Sequence, residues 1–366
     1  NVSGAQKEYK IGVNTAVASA DLTHSGPAGY RWLTGGAERM RINSSGNVGI
    51  GVVNPATKLD VAGAISDSGG NVRSGRKNWI INGGFDVWQR STSAALPNGG
   101  FVADRWKGNN YVNGTITLSR RTDATGQTFK TYGRLAQSSA GSQGARQGIM
   151  HYIEGNRLVG KTITVSFKAR ANAALTGCIV RGIFTNQTFN LTTGWVKHSF
   201  TGTGLAEGAN ARLMFDFGLE NTTWHVDLAE IQVEVGSVAT DFEHRSYGEE
   251  LALCQRYCYV FQNGSSGAHL GIGAQYNSTA INIALHLPTS MRASPTSERV
   301  LDGGSNWLQV YVGSSSQSSN STPQVSDFNG NTIRLYCPSS ITGRTAGEAS
   351  WCHVKPNAKL ILSAEL

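Results

Sequence analysis

Apolar and polar residues alternate with a period of two along most of this 366-residue chain, the pattern of half-buried strands. In the run Thr162, Ile163, Thr164, Val165, Ser166, Phe167 one face is aliphatic or aromatic and the other hydroxylated. Ile281, Ile283, Leu285 and Leu287 alternate as cleanly with Ala280, Asn282, Ala284 and His286. The same reading predicts strands over 114–118, 134–136, 161–169, 177–184, 195–201, 211–217 and 224–235, and again over 307–312, 332–337, 350–354 and 359–366. Near the start, Met40 and Ile42 oppose Arg39 and Arg41, and Val48, Ile50 and Val52 resume the alternation after Asn43, Ser44, Ser45 and Gly46. That turn composition predicts a hairpin. Its apolar residues are few and small, and such a hairpin is marginal alone. Partners are expected, most simply copies of the same segment about an axis.

One stretch breaks the period. Ser246 and Glu249 have capping-box spacing, and Leu251, Cys254, Cys258 and Phe261 follow as one stripe of a short helix. The expected fold is therefore all-β with one short helix, in five parts. These are a fibre-shaft-like β segment over 1–65, a linker over 66–77, a jelly-roll β-sandwich over 78–245, the helix over 246–261, and a C-terminal β-sandwich tip over 262–366. Within the first part, 9–13 and 30–33 read as strands, with a disordered arm as the alternative for 1–37. The Ser-, Asn- and Gln-rich stretch 313–326 reads as a long surface loop.

Composition sharpens this. Charged residues are 15% of the chain against about 25% in ordinary domains, and glycine is frequent at 45 residues, as turn-rich β proteins require. The net charge of +8 favours acidic surfaces such as anionic polysaccharide or lipopolysaccharide. Without a lysine-rich cluster, no nucleic-acid partner is expected. No apolar run is long enough for a spanning helix, so no membrane insertion is expected. The chain opens at Asn1 rather than Met, as a fragment preceded by an attachment region would. The five cysteines, Cys178, Cys254, Cys258, Cys337 and Cys352, are odd in number and irregular in spacing, which suits buried small hydrophobes better than a disulfide framework or a zinc site.

Several stretches resemble known families. The run reading ERMRI, NSSGNVGIG, then NPATKLDVAGAI resembles a segment of bacteriophage tail fibres and related adhesins, a match that covers roughly Asp21 to Ile65; Val52 and Val53 stand where that family has small polar residues. The closing run of the jelly-roll stretch, DLAEIQVEVG with Ala239, Thr240, Asp241 and Phe242, resembles the end of carbohydrate-binding-module-like jelly rolls. Its opening, NWIINGGFDVWQR, and the helical GEELALCQRYCY look like phage tail proteins. The resemblance implies a homotrimeric host-attachment protein in the virion tail, made in the host cytoplasm, with host surface polysaccharide or lipopolysaccharide and other tail or baseplate proteins as partners. In the related sugar-binding modules an Asp near the last strand can hold a structural calcium. Asp227 matches that place, whereas Gly83, Gly84 and Phe85 lack the acidic residue often found earlier. No other cofactor is implied.

Sugar rings stack on exposed aromatic faces, which makes Tyr111, Trp224, Trp307 and Tyr311 the glycan-binding candidates, while Trp88, Trp106 and Trp195 suit a core. Chemistry is not expected. The acids Asp216, Glu220, Asp227, Glu230 and Glu234 cluster in sequence, but the last three alternate along a strand rather than pairing for glycoside hydrolysis. No nucleophile elbow or phosphate loop is present. Three readings stay open: a receptor-binding tail fibre, a structural fibre or decoration protein, and a glycan depolymerase.

Overall fold

The computed structural model describes residues 29–35, 37–62, 65–67, 70–72, 76–110, 115–138, 147–205, 210–217, 223–262, 266–338 and 341–366. The expected strand at 9–13 lies outside them. The chain divides into two compact units, Asn1–Ser74 and Gly75–Leu366.

In the first unit, β1 (Tyr30–Thr34), β2 (Ala37–Ile42), β3 (Val48–Ile50) and β4 (Leu59–Val61) form one sheet in that order. β2 and β3 are the expected hairpin, with Met40 opposite Ile50 and Ile42 opposite Val48. Gly46 takes φ +73° in its turn, and the Asn43 side chain accepts the N–H groups of Ser45 and Asn47. A Cβ on Gly49 would lie 2.4 Å from the Val52 carbonyl oxygen. The chain there folds back through the space a side chain would fill. The stretch expected as a linker instead contributes β6 (Gly70–Val72), paired antiparallel with β5 (Ile65–Asp67).

The second unit holds two sandwiches. The first is built from β7 (Ser93–Ala95), β8 (Trp106–Asn110), β9 (Ile116–Arg121), β10 (Tyr132–Gln137), β11 (Gln147–Ile153) and β12 (Thr162–Ala171). It continues with β13 (Leu175–Gly182), β14 (Gln187–Leu191), β15 (Val196–Thr203), β16 (Ala211–Asp216) and β17 (Trp224–Val235). These form a six-stranded sheet, β15-β12-β17-β10-β9-β7, and a five-stranded sheet, β14-β13-β16-β11-β8. Leu118, Leu135, Val165 and Val226 of the first sheet and Ile149, Val180, Leu213 and Phe215 of the second share one buried cluster. Period-two alternation thus assigns every strand an inner and an outer face. Trp106 is fully buried and stacks on Phe85 at 5.1 Å.

The helix is shorter than the stripe predicts. α1 spans Tyr247–Gln255, with the Ser246 side chain accepting from Glu249 N–H. The Glu249 carboxylate pairs with Arg76 at 2.7 Å rather than closing the box. Cys258–Phe261 continues the helical spacing by coincidence. It is a strand, β18, held by pairing with the C-terminal strand.

The second sandwich comprises β18, β19 (Ala268–Gln275), β20 (Ile281–His286), β21 (Thr296–Val300), β22 (Leu308–Val312), β23 (Ser315–Ser319), β24 (Gln324–Asn329), β25 (Thr332–Cys337), β26 (Ala349–Val354) and β27 (Lys359–Ser363). A seven-stranded sheet, β23-β22-β26-β19-β20-β25-β24, packs on the three-stranded β18-β27-β21. The expected loop 313–326 is largely strand. Gly313, at φ +57°, turns β22 back into β23, an edge strand of serines and glutamine without apolar alternation.

Helix, β18 and C-terminus join the sandwiches. Glu250 accepts Asn82 N–H at 2.6 Å, Gln89 donates to the Cys258 carbonyl at 2.8 Å, and Arg105, fully buried, pairs with Glu365 while its guanidinium lies 3.6 Å from the Tyr257 ring centre. All five cysteines are buried thiols outside any disulfide, as expected of small hydrophobes. Burial pushes the Cys337 and Cys352 thiols up to about 12.

Candidate functional site on the seven-stranded sheet

The outer face of the seven-stranded sheet gathers exposed aromatic rings in register. On β26, Ser350, Cys352 and Val354 turn inward, which leaves Trp351 and His353 outside. On β22, Leu308 and Val310 are buried, leaving Gln309 and Tyr311 outside. Cross-strand pairing then lays Tyr311 beside Trp351 and Gln309 beside His353. On the other side, Ile272 of β19 pairs with Trp351 and His269 with His353, with a bulge between them at Gly271, φ +139°. The bulge brings His269 and Ile272, three apart, onto one face.

The rings touch. His269 and His353 lie 4.1 Å apart between centres, Tyr311 and His353 5.1 Å at 63°, and His269 and Trp351 6.4 Å at 72°. Trp351 is 59% exposed and Ile272 61%. Burial, with His269 alongside as the smaller cause, holds the His353 imidazole below the ordinary histidine range, so it is neutral at pH 7.

Next to this cluster is a shallow hollow of about 490 Å³, lined by Ile272, Ala274, Ala284, Asn282, Arg334 and Asp327 among others. Alanines at outward positions leave it open, and the exposed Arg334–Asp327 ion pair sits at its edge. Tyr276 and Tyr336 meet edge to face at 5.8 Å nearby. The face offers flat rings for the apolar side of a pyranose, and imidazole, amide, guanidinium and carboxylate groups for its hydroxyls.

Of the residues singled out from the sequence, only Tyr311 is here. Tyr111 lies outside the described residues. Trp224 is a correction: it is buried, 5.9 Å from Phe217. Trp307 is another, fully buried with its indole N–H donated to the Ser321 carbonyl at 2.7 Å. Neither ring can stack on a sugar. Trp195 lies half-buried against Phe129 and Tyr132, apart from the main core. Trp351, His353, His269 and Ile272 were missed. The alternation of Trp351 and His353 with buried Cys352 and Val354 carried the signal.

Asp227 does not fit calcium. It is fully buried on the six-stranded sheet, where Arg134 grips it with two bonds, at 2.6 and 2.9 Å, and Arg170 with a third at 2.8 Å. A divalent cation at this carboxylate would stand against two guanidinium charges. Among the described residues no group of three or more His, Cys, Asp or Glu side chains converges as a metal site.

No protein-family model matches the chain, and no curated protein matches it. Solved structures do. A structure titled "CBM4 structure and function" is 22% identical, covers 43% of this chain and 100% of its own, with a TM-score of 0.32. The TmCBM61 module in complex with β-1,4-galactotriose is 11% identical over 44% of this chain and 100% of its own, TM-score 0.30. The enzymatically active domain of bacteriophage CBA120 tailspike protein 4 is 14% identical over 49% of this chain and 25% of its own, TM-score 0.31. Likenesses at TM-scores this low carry no functional weight.

Proposed function

We propose that the chain is the distal region of a tail-fibre adhesin. It attaches a virion to its host by binding surface polysaccharide, as a homotrimer, on the outer face of the seven-stranded sheet. The carrying observation is the row of half-buried Tyr311 and exposed Trp351 and Ile272 beside a neutral imidazole and an open hollow. A contiguous exposed apolar patch rimmed by polar groups marks an interaction surface. The fibre assignment is supported by the resemblance of the Glu38 to Ile65 run. Trimerisation is supported by Trp32, Leu33, Ile50, Val53 and Leu59, large apolar residues left exposed in the first unit. Three weak sites on one trimer reinforce each other without any new contact.

Binding rather than cleavage is favoured by the state of the carboxylates. Asp227, Asp216 and Glu365 are held by arginines. Glu250, also pushed up by burial, is held by Asn82 N–H and Arg245; Asp104, at about 6, is enclosed where the sandwiches meet and bonded to Gln89. No polymer reaches it.

The test is binding of the intact chain to host cells and to their purified polysaccharide, with and without Trp351→Ala. Loss of about tenfold or more in affinity is expected, since hot-spot aromatics dominate such surfaces. Unchanged affinity would exclude this face as the glycan site. Unchanged affinity with a fall in solution mass would mark the face as a contact between copies, a reading that the exposed Ile272 and Trp351 also suit.

A further inference from the structure

The arginines around Asp227 do more than neutralise it. On the outer face of the six-stranded sheet, Ser119, Arg134, Asp227 and Arg170 stand side by side on adjacent strands. The neighbouring ion pairs, Arg121 with Asp123 and Lys168 with Glu230, balance locally. Arg134 and Arg170 share a single carboxylate, so the patch keeps one positive charge in surplus. Both guanidiniums bond through Nε and Nη2 to Asp227 and to the Tyr132 hydroxyl. Among the described residues neither Nη1 has a partner. The Arg134 and Arg170 side chains are 20% and 29% exposed.

Their forks are fixed in place. Arg170 lies 4.9 Å from the Trp195 ring centre and 5.7 Å from that of Tyr132, and stacking of this kind preorganises a guanidinium. The floor beside them is low, with Thr117 and Ala136 one step along the strands. His225, opposite Ala136, reports the field: burial first, and then the charges of Arg134, Arg170 and Arg121 against Asp227 alone, hold its imidazole below the ordinary range.

We infer that this patch is a second binding site, separate from the tip face, which takes the carboxylate of an acidic, uronate-type saccharide. A carboxylate accepts charge-assisted N–H bonds from guanidinium groups, here from the open Nη1 of Arg134 and of Arg170, and the Ser119 and Thr117 hydroxyls are placed for the sugar. That the carboxylate is borne by a saccharide rests on the proposed function; the preference for an oxyanion does not.

Ser119→Glu provides the test without removing any existing contact, because it sets a carboxylate of the chain's own directly across from Arg134. Ser119→Gln controls for size. The intact chain is titrated calorimetrically with trigalacturonate and with neutral maltotriose. Trigalacturonate should bind at least about tenfold more tightly than maltotriose and weaken as salt rises from about 50 to 200 mM. Ser119→Glu should weaken it by about tenfold and Ser119→Gln by less than about twofold, both with unchanged thermal midpoints. Equal affinity for the two trisaccharides, or trigalacturonate binding indifferent to Ser119→Glu, would overturn the site. Trp351→Ala, run in parallel, should leave trigalacturonate binding intact, so failure of the tip face and failure of this patch are read separately.

Discussion

The outer faces of the six-stranded and seven-stranded sheets have the same construction and opposite chemistry. In each, every second residue of antiparallel strands points to solvent, and register sets the outward residues side by side. On the six-stranded sheet this line reads Arg134, Asp227, Arg170; on the seven-stranded sheet it reads Tyr311, Trp351, Ile272. The first line is internally dependent. Asp227 is fully buried, and its charge is tolerable there only because guanidiniums surround it. The second line has no such dependence, since Trp351 and Ile272 project into water and no buried charge needs them. On the proposed reading, recognition and stability are therefore entangled on the first sandwich and separable on the second. That difference is open to attack by mutation.

The largest effect is expected inside the second sandwich rather than on its outer face. Trp307→Ala empties a fully buried indole site and removes the indole N–H bond to the Ser321 carbonyl, which should destabilise the protein by about 4 kcal/mol. Denaturant unfolding of the full chain measures it. A loss below about 1 kcal/mol would mean that the ring is not part of the core. Asp227→Ala should come next. It leaves Arg134 and Arg170 facing each other, at about 3 kcal/mol, toward the lower end for a broken buried pair because both guanidiniums are partly exposed and can turn to water. If calcium restored the wild-type protein after chelation, while Asp227→Ala cost nothing, the arginine account of this carboxylate would fail.

The third effect is a pH dependence. Burial raises Asp104 from 3.8 to about 6 in the folded chain. Between those values the folded state holds a proton that the unfolded state has released. Stability from this group is full below pH 4 and is lost as pH rises through 6. The span is on the order of 2–3 kcal/mol. Other carboxylates titrate in the same window, so the quantity to measure is the difference between wild type and Asp104→Asn. That difference should slope from about pH 4 to 6 and flatten above. A flat difference throughout would show that Asp104 titrates normally.

These contrasts also mark where sequence reading succeeds. Period two located the strands around Thr162 to Phe167 and Ile281 to His286 because each has one continuous apolar face. It failed at β23, whose serines and glutamine carry no such contrast; only pairing with β22 makes it a strand. The helix was overrun because Cys258 and Phe261 keep helical spacing by chance, while the residues that claim them for a sheet lie a hundred positions away at the C-terminus. Aromatic type alone misassigned Trp224 and Trp307. The facing of Trp351 was legible, since Cys352 and Val354 beside it are natural inward residues. The neighbours of Asp227 were not: Arg134 and Arg170 reach it from strands distant in sequence, and they reverse the sign of the ligand the position would attract.

The smallest effect on stability should come from the residue with the largest expected effect on binding. Trp351→Ala removes a ring that is 59% exposed and touches His269 only edge-on at 6.4 Å. An exposed substitution of this kind shifts unfolding by about 0.5 kcal/mol or less. The wild-type ring leaves apolar surface in water and so contributes little to holding the sheet together. Unfolding midpoints and polysaccharide affinity measured on the same preparation decide it. Lost affinity at constant stability identifies a recognition residue. A stability loss approaching that of Trp307→Ala would instead make Trp351 structural, and the contrast between the two faces would collapse.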